Sequence, residues 1–301
     1  SDWVLSTRIN RSAVERRAKT LTGRRSVKKG WQIGWLAHAI RCIDLTTLSG
    51  DDTPGTVKRL AAKAMRPVRR DILEAHGLPQ DLHCGAICVY HNLIETAVSA
   101  CKDSPVNVCS VSTGFPAGPI PHELKLEQIR SSIAEGAQEI DIVISRPLVL
   151  EGRWADLHEE IRSYREACGE AACLKTILAT GELGDLRQVA RASRVCLGAG
   201  ADFIKTSTGK ESVNATLPVA LVMLRAIREH HQRSGYLAGF KPAGGIKTAK
   251  DSISFLMLVK EELGVESMQP NRFRIGASSL LADIERQLEF HATGRYSATH
   301  R

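Results

Sequence analysis

The chain has 301 residues, 43% of them hydrophobic, and a formal charge of +8, enough for one large core or two smaller ones and compatible with anionic partners. No stretch is long and apolar enough to cross a membrane, and no apolar leader with a cleavage site stands at the start, so secretion is not expected. With only 5% aromatic residues, a stacking platform for single-stranded nucleic acid is also disfavoured.

In chain order, the first predicted elements are helical. "SAVERRAKTL" and "GWQIGWLAHAI" predict one or two helices in an N-terminal extension over residues 1–38, covering the lower end of the main domain. Trp31 and Trp35, four apart, share a helix face and are expected to pack. The densest basic cluster is Arg24-Arg25-Ser26-Val27-Lys28-Lys29. It reads as a solvated surface, with a nucleic-acid patch or a localisation signal as the alternative.

From residue 39, short β-like runs alternate with segments of helical period. The first runs are "IRCIDLTTL" (40–48), "GAICVY" (85–90) and "VNVCSVSTGF" (106–115). A helix over "LKLEQIRSSIAEGA" leads to "EIDIVIS" (139–145), and one over "WADLHEEIRSYREACGE" leads to "CLKTILATG" (173–181). "LRQVARASRVCLGAG" precedes "ADFIKTS" (201–207). "LPVALVMLRAIREHHQRSG", with Pro218 in its first turn, precedes "AGFKPAGG" (238–245). "AKDSISFLMLVKEELG" leads to "RFRIGASS" (272–279), and "LLADIERQLEFHATG" completes the pattern. Eight β units alternating with helices predict an α/β fold: a (β/α)8 TIM barrel over residues 39–293, followed by a tail over 294–301. The alternative is a doubly wound open sheet, but no G-x-G-x-x-G follows the first strand and no Walker-type loop occurs. The eight cysteines are scattered without zinc-site spacing, several in apolar runs, and predict reduced buried thiols in a cytoplasmic protein.

In such barrels the active site lies at the C-terminal strand ends. The polar residues that interrupt the strands there are Asp44, Cys88, Asp141, Lys175, Lys205 and Lys241. Lys205 and Lys241 fall on consecutive predicted strands, about 4.8 Å apart. Two ammonium groups that close disfavour double ionisation, and burial adds to the effect. A free lysine, with a pKa of about 10.4, is neutral only about once in two thousand at pH 7. One kept neutral by a cationic neighbour attacks carbonyl groups to form a Schiff base. A lone strand lysine would otherwise be a rim residue reaching for solvent. Three lysines with two aspartates at one mouth fit a proton-transfer site better.

A second feature suits phosphate. "STGK" (207–210), "GGIK" (244–247) and "GASS" (276–279) follow strands six, seven and eight. Their small residues let backbone N–H groups approach an anion, the last two open helices, and Lys210 and Lys247 stand at their edges. The residues thus point to a barrel enzyme forming a Schiff base with a small phosphorylated carbonyl compound, without choosing the substrate.

Together "IDLTTLSGDDT", "KTILATGEL", "DFIKTSTGK", "GFKPAGGI" and "GASSLL" resemble the deoxyribose-phosphate aldolase family, in order from about residue 40 to 283. The helical extension and "FRIGASSLLADIERQ" are similar to its eukaryotic-type members. The resemblance implies a class I aldolase, with no metal or cofactor, that acts in deoxyribose phosphate catabolism. It would reversibly cleave 2-deoxy-D-ribose 5-phosphate to acetaldehyde and D-glyceraldehyde 3-phosphate. It implies Lys205 as the Schiff-base lysine and Lys241 as the residue that perturbs it and assists proton transfer. Asp141 would be the proton-relay aspartate, Lys175 its partner, and Asp44 a neighbour of the substrate hydroxyls. Substrate and phosphate contacts fall on Thr208, Gly209, Lys210, Gly244, Gly245, Lys247, Gly276, Ser278 and Ser279. Cys88 would lie close to the aldehyde, or serve as a small core residue. The implied partner is a small phosphorylated sugar, not a membrane or nucleic acid, and a homo-oligomer is left open.

Two positions depart from the family pattern. His91 follows Tyr90 where proline is usual, which is expected to loosen the loop after strand two. Lys247 stands where arginine is common, so the charge stays but the bidentate fork is lost. The competing readings are a different lyase or transaldolase on the same barrel, and a basic binding protein acting through residues 11–35.

Overall fold

The structure is a computed structural model that describes residues 2–24 and 26–297. Its strands are β1 (Ile43–Thr46), β2 (Ala86–Val89), β3 (Asn107–Ser112), β4 (Glu139–Val143), β5 (Cys173–Ile177), β6 (Phe203–Lys205), β7 (Gly239–Lys241) and β8 (Ile275–Ala277). Among the described residues they form one 8-stranded parallel sheet, ordered β7-β6-β5-β4-β3-β2-β1-β8. Parallel bridges from Phe240 to Phe273 and from Ala243 to Gly276 bring β7 alongside β8 and close the ring. The barrel expected from the alternation is therefore present, and the open sheet is not.

Helices α1 (Asp2–Leu5), α2 (Arg11–Arg24) and α3 (Lys29–Arg41) precede β1. Between β1 and β2 come α4 (Pro54–Met65) and α5 (Arg70–His76), and α6 (Ile94–Ala100) follows β2. After β3 comes α7 (His122–Ala134), and after β4 come α8 (Arg146–Leu150) and α9 (Trp154–Cys168). The last four are α10 (Leu186–Gly198), α11 (Leu217–Ser234), α12 (Ala249–Leu263) and α13 (Leu280–Thr293).

Local chemistry sets these boundaries. Thr53, Asp185, Thr216 and Thr248 each accept a backbone N–H of the first turn they precede, and Pro54 and Pro218 occupy first-turn positions that need no donor. At the other end, Gly235 and Gly294 take the left-handed conformation that closes α11 and α13.

Two apolar layers result from the alternation of side chains along each strand. The outward layer, with Ile43, Ile87, Ile140, Leu174, Ile204 and Phe240, packs under the helices. The inward layer is small and one-sided: Ala86, Cys88, Cys109, Val111, Phe115, Val143 and Ile177. Beside it the interior holds the ring of Phe203 and a set of buried charged side chains.

The interior leaves no slack at Gly239. A Cβ there would stand 2.5 Å from the Phe203 ring, over which the Lys175 ammonium sits 5.9 Å from the centroid. Gly239→Ala is expected to destabilise the barrel by about 1–3 kcal/mol through overpacking. Urea unfolding checks it, and an unchanged midpoint would contradict this packing.

The N-terminal segment differs from expectation. It forms three helices, and they pack along the outside of the barrel: α1 against α10, α2 against α11 and α12, and α3 against α12 and α13. Trp35 packs partly, with Lys260 Nζ 5.5 Å from its ring centroid, but Trp31 is 73% exposed and does not pack as expected. Of the basic cluster, Arg25 lies outside the described residues, as do residues 298–301 of the tail. No described helix is long and apolar enough to cross a membrane.

His91 does not loosen its loop. It begins a single 3-10 turn over His91–Leu93 and is tied to α7, with Nδ1 2.8 Å from Ser132 Oγ and Nε2 3.3 Å from Glu135.

Candidate active site

At the C-terminal strand ends a cavity of about 270 Å³ opens to solvent. Its walls include Thr208, Gly209, Lys210, Gly244, Gly245, Lys247, Gly276, Ser278 and Ser279, so the predicted anion loops converge on one space. Thr46 and Leu48 complete the wall from β1, and Lys205 is the charged group at its base, 3% exposed.

Each loop is shaped by a local requirement. After β6, Glu211 accepts the Thr208 N–H and hydroxyl, and Lys210 reaches across the mouth to the Leu48 carbonyl at 2.9 Å. After β7, Gly244 and Gly245 both have positive φ, near +83° and +80°. A Cβ on Gly244 would also meet Asn214 at 2.6 Å, so only glycine fits there. Within β8, a Cβ on Gly276 would come within 2.8 Å of Ala243 Cβ and 3.2 Å of Lys241 Cε. The first turn of α13 then begins at Leu280 with no side-chain cap, which leaves its amides for another acceptor.

Beneath Lys205 lies a charged cluster drawn from around the barrel. Lys205 and Lys241 are register partners on β6 and β7, as the strand order required. Each donates to the same oxygen, Asp141 Oδ2, at 2.7 Å. A carboxylate thus sits between the two amines, which the sequence reading had placed in direct repulsion. Lys241 also donates to Asp44 Oδ2. Lys175 donates to Asp44 Oδ2 at 2.9 Å and to Glu139, and stands 3.4 Å from Asp141 Oδ1, so the expected Lys175–Asp141 pair is present but is not its closest contact. Arg274 closes the lower end: Nη1 donates to Asp44 Oδ1 at 2.7 Å and Nη2 to Glu139 Oε1 at 2.9 Å.

Burial alone would push these carboxyls up and the amines down. The pairing wins. Burial opposes ionisation of Asp44 and Asp141, but the surrounding lysines, with Arg274 at Asp44, hold both carboxyls below the usual range. Glu139 is likewise held down against burial by Lys175 and Arg274. Against the same burial, Asp141 and Asp44 raise Lys175 and Lys241, so both remain ammonium groups at neutral pH.

Five expected site residues, Asp44, Cys88, Asp141, Lys175 and Lys241, do not line the cavity and lie buried beneath or beside it. Asp44 is fully buried within the cluster, and Thr46, two residues on and on the same face, takes the wall position. Cys88 is fully buried in the inward apolar layer, where it is the register partner of Cys109. Burial pushes the Cys109 thiol up, and its Sγ donates to Asp141 Oδ1 at 3.1 Å. Glu139, Arg274 and Cys109 were not singled out by sequence. Glu139 alone carried a signal, as an acidic residue opening an apolar strand two places before Asp141.

Among the described residues, two groupings bring donor atoms within 4.8 Å of one another: Cys88, Cys109 and Asp141, and Asp44, Cys109 and Glu139. Lys175, Lys241 and Arg274 already donate to those carboxylates, so a metal ion would have to displace buried cations.

Comparison with known proteins agrees with this geometry. Residues 38–285 match the DeoC/LacD family aldolases. The chain is 55% identical over 301 residues to deoxyribose-phosphate aldolase from Bos taurus, covering 99% of this chain and 94% of that protein. It is 56% identical, with the same coverage, to the Mus musculus deoxyribose-phosphate aldolase. Among solved structures, deoxyribose phosphate aldolase from Aeropyrum pernix, described as tetrameric, superposes with a TM-score of 0.65 at 22% identity, covering 90% of this chain and 100% of that one.

Proposed function

The chain belongs to the DeoC/LacD aldolase family, and from that premise we propose that it reversibly cleaves 2-deoxy-D-ribose 5-phosphate through a Schiff base on Lys205. The observation that carries this reading is the place of Lys205: it is at once a wall of the cavity and a member of the charged cluster.

The amine of Lys205 adds to the C1 aldehyde of the open-chain sugar, and loss of water gives an iminium. The iminium accepts the electron pair of the C2–C3 bond as that bond breaks. Asp141, 2.7 Å from both Lys205 and Lys241, stands where a base can take the C3 hydroxyl proton, directly or through one water. D-Glyceraldehyde 3-phosphate leaves, the enamine is reprotonated at its terminal carbon, and hydrolysis releases acetaldehyde and the amine. Lys241, held charged between Asp44 and Asp141, keeps Asp141 ionised and so ready to accept that proton, which can then pass to the enamine carbon. Lys175 and Asp44 keep the carboxylate and ammonium in register from below.

The phosphate is assigned to the amides of Gly244 and Gly245, the open first turn of α13 with Ser278 and Ser279, and the cations Lys210 and Lys247. It takes no part in bond breaking and serves orientation.

Cleavage of deoxyribose 5-phosphate, followed by acetaldehyde release, tests the proposal against unphosphorylated 2-deoxyribose. The expected loss in kcat/KM without phosphate is about 10²-fold or more, from several charge-assisted hydrogen bonds. No cleavage of the phosphorylated sugar, or equal efficiency on both, would contradict it.

A further inference from the structure

The charged cluster contains two groups that the proposed chemistry leaves without a task, Glu139 and Arg274. Neither lines the cavity. Both are buried, Glu139 at 3% and Arg274 at 6% exposure, and neither contacts Lys205. We propose that Glu139 and Arg274 act as opposed positioning charges that set, from below and without touching substrate, how readily Lys205 gives up its proton. The inference rests on the Schiff-base reading of Lys205.

All eight β/α units contribute titratable or charged groups to this interior. They are Asp44 from β1, the thiols of Cys88 and Cys109 from β2 and β3, Glu139 and Asp141 from β4, Lys175, Lys205 and Lys241 from β5 to β7, and Arg274 just before β8. Among the carboxylates, ammonium groups and guanidinium, four cations meet three anions. Arg274 holds Asp44 Oδ1 and both oxygens of Glu139. Lys175 spans Asp44, Glu139 and Asp141. Lys241 bridges Asp44 and Asp141. Lys205 has one carboxylate oxygen, and Lys241 already shares it. It is the surplus cation, and the one in contact with the cavity.

A buried cluster with one cation too many is relieved when the least-held member loses its proton. The count makes a signed prediction. Removing the negative charge of Glu139 increases the surplus and favours the neutral amine. Removing the positive charge of Arg274 abolishes the surplus, makes Lys205 a required counterion and favours its ammonium form. Mere disturbance of the barrel floor has no reason to produce opposite signs.

The test is the pH dependence of adduct formation on Lys205, with acetaldehyde as the probe, borohydride as the trap and peptide mapping as the readout. In Glu139→Gln the pH of half-maximal trapping should fall, and in Arg274→Met it should rise, each by about one unit or more. Arg274→Lys should return the profile towards that of the unaltered protein. Two unmoved profiles, or two shifts of the same sign, would overturn the proposal. Should Arg274→Met fail to fold, Glu139→Gln decides alone, and an unmoved or upward-shifted profile overturns it. An absence of any Lys205 adduct in the unaltered protein, at every pH, would instead remove the Schiff-base reading on which the inference stands.

Discussion

Lys205→Leu is expected to lose turnover by about 10⁴-fold or more while the barrel remains folded. The loss arises because no other described amine both lines the cavity and donates to Asp141. Lys210 and Lys247 line the mouth, Lys210 spans it to Leu48, and neither joins the buried cluster. Without the iminium there is no electron sink for the C2–C3 bond, and only binding and electrostatics remain. The fold should survive because leucine removes the surplus cation. Asp141 keeps Lys241 at 2.7 Å and Lys175 at 3.4 Å. Steady-state kinetics and a thermal melt by circular dichroism check both halves. Appreciable turnover in the folded variant would overturn the assignment of the nucleophile.

Asp141→Asn should separate the steps of the reaction. The amide keeps the shape but cannot act as the base, and general-base removal costs about 10²–10⁴-fold in kcat. It also leaves the lysines one carboxylate short, so stability should fall by about 3–5 kcal/mol, the range for breaking a buried pair. A poorer counterion does not prevent imine formation. The variant should therefore still be trapped by borohydride on Lys205 in the presence of acetaldehyde, while cleavage of deoxyribose 5-phosphate is lost. Retained cleavage would show that Asp141 is not the base, and loss of trapping would show that it acts before bond breaking.

Much of this was legible in the sequence, and for identifiable reasons. A lysine ending a buried strand is conspicuous, so Lys205 and Lys241 stood out, and strand order alone made them neighbours. The three anion loops were legible because glycines and small hydroxyl residues end strands six, seven and eight. The depth of each group was not legible. Asp44 and Thr46 share a face of β1, and only the closed barrel shows that the cavity begins at Thr46. Arg274 lies within the predicted strand run "RFRIGASS", where an arginine between Phe273 and Ile275 could face either way, and the barrel turns it inward onto Asp44 and Glu139. The helices between β1 and β3 went unread: α5 and α6 are only 7 residues each, while the 12-residue α4 was passed over despite its Thr53 cap. Trp31 looked like packing because it shares a face with Trp35, but it stays 73% exposed while Lys260 of α12 sits over the Trp35 ring.

The position of Asp141 also changes how the nucleophile is understood. The sequence suggested repulsion between two bare amines. With a shared carboxylate oxygen between them, Lys241 is held charged and does not serve as a simple repellent, and the reactivity of Lys205 depends on the charge balance of the whole interior.

The central claim is that Lys205 bonds covalently to the substrate aldehyde. The most direct measurement is reduction with borohydride in the presence of 2-deoxy-D-ribose 5-phosphate, followed by mass-spectrometric mapping of the modified peptide. A stable adduct on Lys205, absent when either sugar or borohydride is omitted, is the predicted result. An adduct confined to another lysine, or none while the sugar is being cleaved, would contradict it.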